Sequence, residues 1–306
     1  MKKAALLIML AAVAAFSLFV FAACNNTPPE KLMSPAWNSY EKLSYAYDHY
    51  DGDTIVSTGT YTAEIDYIGY INDSVPPVKV GGVEIPLKDY KEGYLVTTTL
   101  VYGESGEFTK TVKTFFYRNA NGLPFYPAVS FTTITGDVVP ESLLIVYKSD
   151  RSIQTTYTKN DIINTSSDTR FNKKGGLVFD NATIYYALRA LPLEDAPQIS
   201  FETTYRVDGS VDASIAKMSV AAGADTNISD TRFTGAVGKE LVPCYTVSIN
   251  RDTSLQGTGY YVYYAKEAVS KADGDSLRTV NKVPVRIKEG STVYNLTAIS
   301  VSREDA

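Results

Sequence analysis

The stretch FDNATIYYALRALPL, Phe179 to Leu193, interrupts a chain whose segments otherwise alternate apolar and other residues with a period of two. It reads as a helix. Asp180 can accept hydrogen bonds as an N-cap, and a carboxylate there favours the positive end of the helix. Ala182, Ala187, Leu188 and Ala190 suit a helix interior, and Pro192 predicts an end near Leu191. Ile184, Leu188 and Leu191 fall at i, i+4 and i+7 and make one apolar stripe, with Tyr185 and Arg189 beside it. A single short amphipathic helix within so much strand predicts a plug or lid on the concave side of a curved sheet.

Strand-like segments surround it: Thr58–Tyr70, Tyr94–Tyr102, Phe108–Tyr117, Ser142–Lys148, Ser152–Thr158, Gln198–Val207, Ser214–Val220, Cys244–Ile249, Tyr260–Tyr264, Thr279–Ile287 and Thr292–Val301. Turn signals such as Tyr102-Gly103, Asn121-Gly122, Asp208-Gly209 and Asp273-Gly274 separate them. Long helices do not alternate with strands, which excludes a parallel α/β fold. The expected fold is mainly β, a large antiparallel sheet arranged as either a sandwich or a barrel. SLLIVYKS is apolar on both faces, with Leu143, Ile145 and Tyr147 on one and Leu144 and Val146 on the other. It requires cover on each, from a helix, a second layer or a ligand.

Asp180, Tyr185, Tyr186, Arg189, Leu191, Pro192 and Leu193 form a D-x(4)-YY-x(2)-R-x-LPL pattern, and VPVRI follows at Val283 to Ile287. The pattern resembles a set of bacterial envelope proteins whose domain is of unknown function. The resemblance spans Leu43 to Ile299, but its specific part is confined to the helical stretch. It implies an incomplete antiparallel β-barrel wrapped around a helix. That shape is similar to the half-barrel of lipoprotein-carrier (Lol-type) proteins, which hold acyl chains in an apolar cavity. Two roles follow for the helix. In one, Asp180 caps it and Arg189 meets a buried carboxylate. In the other, Tyr185, Tyr186 and Arg189 line the mouth of a ligand cavity, with Arg189 facing an anionic headgroup.

The chain opens MKKAALLIMLAAVAAFSLFVFAACNN, with Lys2 and Lys3 ahead of an uncharged run from Ala4 to Ala23. This is the form of a secretory signal. Phe21-Ala22-Ala23-Cys24 resembles the end of a bacterial lipoprotein signal, which implies removal of residues 1–23 and lipidation of Cys24. An uncleaved membrane anchor is the alternative, since the run is long enough to span a bilayer. Residues 24–42 then read as a lipid anchor, a polar tether and a short helical lead-in started by Ser34-Pro35, with Trp37, Tyr40 and Leu43 on one face. Residues 43–306 read as one antiparallel β domain. The expected location is extracytoplasmic, attached to a membrane through Cys24.

Loss of Lys2 and Lys3 would take the formal net charge from −5 to −7. An acidic protein is a poor partner for nucleic acid or for anionic lipid headgroups. Catalytic and metal-binding residues are sparse. His49 is the only histidine, in YAYDHYDGD beside Asp48, Asp51 and Asp53. That cluster reads as a solvated acidic turn, and its spacing is not that of an EF-hand loop. Cys244 reads as a small buried hydrophobe. Ser39 and Ser214 each begin an S-x-x-K, but the K-T-G and S-D-N partners of the penicillin-recognising enzymes are absent. SDTRF occurs at 167–171 and again at 229–233, without wider repetition. No cofactor is implied. The expectation is a non-catalytic lipoprotein whose half-barrel binds or shields an apolar ligand such as lipid. The alternatives are a cell-wall glycan module, suggested by 23 tyrosines, a structural subunit of an envelope assembly, and a hydrolase.

Overall fold

The computed structural model describes residues 37–69, 79–85, 92–103, 107–120, 123–171, 177–195, 198–207, 210–220, 226–251, 260–273 and 276–303. Residues 1–36, and with them Cys24, Ser34 and Pro35, lie outside the described residues.

Twenty strands account for most of the described chain. The first ten are β1 (Tyr40–Asp51), β2 (Thr54–Gly69), β3 (Lys79–Val80), β4 (Val83–Glu84), β5 (Glu92–Tyr102), β6 (Phe108–Ala120), β7 (Leu123–Gly136), β8 (Glu141–Tyr147), β9 (Ser152–Lys159) and β10 (Ile162–Arg170). The rest are β11 (Leu177–Phe179), β12 (Gln198–Val207), β13 (Ser210–Val220), β14 (Thr226–Ser229), β15 (Leu241–Arg251), β16 (Tyr260–Ala265), β17 (Val269–Asp273), β18 (Ser276–Val280), β19 (Pro284–Glu289) and β20 (Thr292–Ser300). Two short helices interrupt them, α1 (Ile184–Ala187) and α2 (Phe233–Val237). A 3₁₀ turn, Leu188–Ala190, continues α1.

One 16-stranded sheet runs in the order β10-β9-β8-β7-β6-β5-β2-β1-β20-β19-β16-β15-β13-β12-β11, with β14 added to β15. Every ladder in it is antiparallel except β11 with β12. The sheet does not close through a hydrogen-bonded ladder. β10 comes close to β13 and β11 to β7, and side chains bridge the seam. Arg151, ahead of β9, pairs with Glu202 of β12 at 2.7 Å, and the Tyr147 and Thr204 hydroxyls lie 3.4 Å apart.

Within the described residues the expected helical lead-in is corrected, while its start at Ser34-Pro35 lies outside them. β1 begins at Tyr40, so residues 40–43 are strand. Glu41, Leu43, Tyr45 and Tyr47 point to one buried face, a period of two that serves ladders with both β2 and β20. Sheet neighbours hold residues 40–43 as strand. The strand expected at Thr279–Ile287 is two strands, broken at Asn281–Val283, where Lys282 has a positive φ of 49°.

The two-sided β8 receives cover on each face. Leu143, Ile145 and Tyr147 are buried on one side. On the other, the β3–β4 hairpin lies across Phe131 and Leu144. A Cβ on Gly81 would stand 2.7 Å from the Phe131 ring and 2.9 Å from Leu144, at a φ of +57° that also favours glycine. Val80 and Ile85 of this flap complete a core with Phe115 and Val129. A larger core gathers around α1, from β1, β2, β12, β15, β16, β19 and β20. Against it lies α2, whose Phe233 and Ala236 are buried next to β20.

The two SDTRF copies share no local structure. The first runs along the end of β10 into buried Phe171, and the second turns from β14 into α2.

Candidate functional site

The stretch 179–193 lies on the inner face of the sheet, and its stripe of Ile184, Leu188 and Leu191 is buried. The helix is shorter than the spacing predicts, because its first turn is diverted. Asp180 is not the N-cap. Thr183 occupies that position, without a side-chain capping bond. The Asp180 carboxylate instead accepts bonds from the Tyr147 hydroxyl at 2.8 Å, the Thr114 hydroxyl at 3.2 Å, the Thr183 hydroxyl at 3.1 Å and the Ala182 N–H at 3.2 Å. Four donors satisfy a fully enclosed carboxylate and bind the turn at 181–183 to β6 and β8. Burial and the nearby Asp180 charge push the Tyr147 phenol well above its usual range.

Arg189 does not line a mouth. Its guanidinium and the Glu41 carboxylate are both 0 % exposed and meet at 2.6 Å. Two further guanidinium bonds go to the Asn281 carbonyl, at 2.7 and 3.1 Å. The amide and side-chain N–H of Asn38 each reach Glu41 at 2.8 Å. Arg189 thus meets a buried carboxylate and anchors the plug. The β18–β19 break exists where this cation takes a backbone carbonyl. Tyr186 is also fully enclosed, packed beside Tyr45 and Tyr61. Trp37 Nε1 donates to the Tyr186 carbonyl at 3.1 Å, and the Tyr264 hydroxyl to the Tyr185 carbonyl at 2.6 Å.

Of the three residues expected at a mouth, Tyr185 alone lines a cavity. That hollow is about 200 Å³ and is bordered by Tyr61, Thr98, Val112, Tyr260, Glu289 and Tyr294. The Tyr185 hydroxyl donates to Glu289, and the Tyr294 hydroxyl reaches the same carboxylate at 3.3 Å. Desolvation, then the Glu289 charge, pushes the Tyr185 and Tyr294 phenols far above their usual range. Both therefore remain hydrogen-bond donors at any physiological pH.

A second hollow of about 130 Å³ lies alongside, bordered by Ser130, Thr132, Ile134, Leu143, Ile145 and Thr204. The two share Lys110, Asn181 and Ala182 as a common rim. Lys110 projects from β6 between them, half-buried, with no ion pair among the described residues. Sequence reading missed Lys110 and Glu289. The signal for Lys110 was the alternation of β6, which sets Lys110, Val112 and Thr114 on one face, and that pattern names no ligand; Glu289 ends β19, where a carboxylate reads as surface.

Elsewhere the candidate chemistry is occupied. His49 Nδ1 lies 3.0 Å from the Thr292 hydroxyl, and Asp48 pairs with Arg232 at 2.8 Å, while Asp51 and Asp53 face solvent. Among the described residues no group of three or more His, Cys, Asp or Glu is placed to hold a metal. Cys244 is buried, as its apolar setting predicts, and burial pushes its thiol up to about 12. No described helix is long and apolar enough to cross a membrane.

No protein-family model matches the chain, and no curated protein matches it. Among solved structures, the chain is similar to a β-barrel-like protein of a domain of unknown function from Brucella abortus. The two share 10 % identity at a TM-score of 0.47, over 86 % of this chain and 98 % of that one.

Proposed function

We propose that the protein is a non-catalytic, extracytoplasmic lipoprotein, anchored through Cys24, whose half-barrel binds a small amphiphile in the paired hollows. The observation that carries this reading is the shared rim of Lys110, Asn181 and Ala182 between two cavities of opposite character. Ile134, Leu143 and Ile145 offer an apolar wall on one side. On the other, Glu289 accepts hydrogen bonds while Lys110 supplies a cation. A ligand with a short apolar portion and a polar or anionic end matches both. The cavities are smaller than the range of about 300–1,000 Å³ usual for ligand pockets, so a short chain or one segment of a longer lipid fits better than whole acyl chains.

The anchor rests on the N-terminal sequence. The non-catalytic reading is supported by the enclosed Cys244 and by a histidine bonded to a threonine rather than to a nucleophile or carboxylate. The tyrosines favour the amphiphile over a glycan platform, since many pack on one another. Tyr61 lies 4.8 Å from Tyr294 between ring centroids, and Tyr47 stacks on Tyr102 at 5.4 Å.

Calorimetric titration with octanoate and with octyl glucoside tests the reading. Saturable binding that weakens at least tenfold in Ile145→Asp is expected. Binding of neither probe, or binding indifferent to Ile145→Asp, overturns it.

A further inference from the structure

A third hollow, of about 360 Å³, lies on the outer face, between the β17–β18 hairpin and the ends of β1 and β20. It is separate from the paired hollows, and Lys42 and Lys271 both line it. Most described cations with a carboxylate in reach are paired, as in Arg303–Asp66 at 2.7 Å and Lys282–Glu194 at 3.1 Å. Among the described residues Lys42 and Lys271 have no ion pair or hydrogen bond. No acid is among the described residues that line this hollow. The nearest in register is Glu64, opposite Lys42 on β2, and it interacts with the Tyr40 hydroxyl.

Two half-buried ammonium groups facing one space are costly without an anion, and burial holds the Lys271 ammonium below its usual pKa. Arg278 is the register partner of Lys271 on the hairpin. The Ser44 and Ser300 side chains complete a polar rim, and Ile299 and Val301 form an apolar floor. On a chain of net charge −5, such a local surplus of cations stands out.

We propose that this hollow is an oxyanion site that takes a phosphate group, free or carried on a lipid headgroup. Lysine ammonium groups bind phosphate as point charges, and an empty space between two of them accommodates a tetrahedral anion. Two features suit a headgroup. The site lies near Tyr40, where the chain leaves the sheet toward its N-terminus. Next to Arg278, Leu277 is 74 % exposed, an aliphatic side chain beside a cation, as at membrane interfaces.

The test titrates the purified protein with inorganic phosphate and, separately, measures its flotation with phosphatidylcholine vesicles with and without phosphatidylglycerol. Lys42→Gln and Lys271→Gln are compared with Lys288→Gln, an exposed lysine of β19 outside the hollow. Thermal melts establish that each variant is folded. Ser300→Ala supplies a further variant should a lysine replacement fail to fold. Phosphate affinity that falls at least fivefold in the hollow variants, but not in Lys288→Gln, supports the site. Retention on phosphatidylglycerol vesicles with the same dependence identifies the headgroup as the source, and phosphate binding alone identifies the free anion. Equal behaviour of all variants toward both probes overturns the proposal. The octanoate titration reads the opposite face, so the two readings fail independently.

Discussion

The two halves of the sheet use the same alternation and fill their inner faces differently. Around α1, the inward side chains of β1, β15, β16, β19 and β20 are Leu43, Tyr45, Val247, Val262, Tyr264, Ile287 and Leu296, each essentially enclosed. Around β6 and β7 the inward positions are Lys110, Val112, Thr114, Ser130, Thr132 and Ile134, and cavities remain beside them. The contrast separates stability from binding. The plugged half holds the fold, and the open half leaves hydrogen-bonding groups facing space.

The largest effect is expected at the ion pair that fixes the plug. Arg189→Ala or Glu41→Ala strands a buried charge and costs about 3–5 kcal/mol, read from urea unfolding midpoints. The double replacement Glu41→Leu with Arg189→Met should be less damaging than either single change, because no lone charge remains. If the double variant is the worst of the three, the pair contributes more than its mutual neutralisation.

Cavity formation sharpens the comparison. Leu188→Ala in the plug should cost about 2–5 kcal/mol, while Leu143→Ala, already bordering a hollow, should fall at or below the low end. Equal losses would mean that the two halves are equally well packed. At β5, Gly93→Ala places a Cβ 2.4 Å from the Phe115 ring and the Phe116 carbonyl oxygen, and overpacking of about 1–3 kcal/mol is expected in the same assay. In the open half, Lys110→Ala should change stability by less than about 0.5 kcal/mol. It should still weaken octanoate binding.

The smallest effect concerns acid. Side-chain hydrogen bonds from Arg232, 2.8 and 2.9 Å from the carboxylate, hold Asp230 below the usual carboxylate range. Its folded pKa is lower than its unfolded value of about 3.9, so its contribution is complete above that value and is lost as pH falls through the folded pKa. Asp230→Asn should therefore lower stability at pH 7 and narrow its gap from the wild type below about pH 4, followed by thermal melts across that range.

The fold was legible because period-two alternation survives in most strands, and β12 was delimited at Gln198–Val207 from sequence alone. β7 was missed because Pro124 and Pro127 argue against a central strand. Pro127 is accommodated at a bulge opposite Phe115 and Phe116, where the ladder shifts register. β10 was missed because IINTSSDTR is mostly polar, as an edge strand with one neighbour permits. The plug stretch was legible, but the roles of its residues were not. Asp180 looks like a cap, and only the approach of Tyr147 and Thr114 from strands distant in sequence shows otherwise. Arg189 could not be assigned until Glu41 emerged from a strand rather than a helix.

The central claim is that the open half, and not the plug, holds the ligand. Native mass spectrometry of gently purified protein tests it most directly, comparing wild type with Ala182→Trp, which fills the rim shared by both hollows. The account predicts a stoichiometric small amphiphile on the wild type and bare polypeptide for the folded variant. An adduct retained equally by both, or absent from both after octanoate is added, would contradict it.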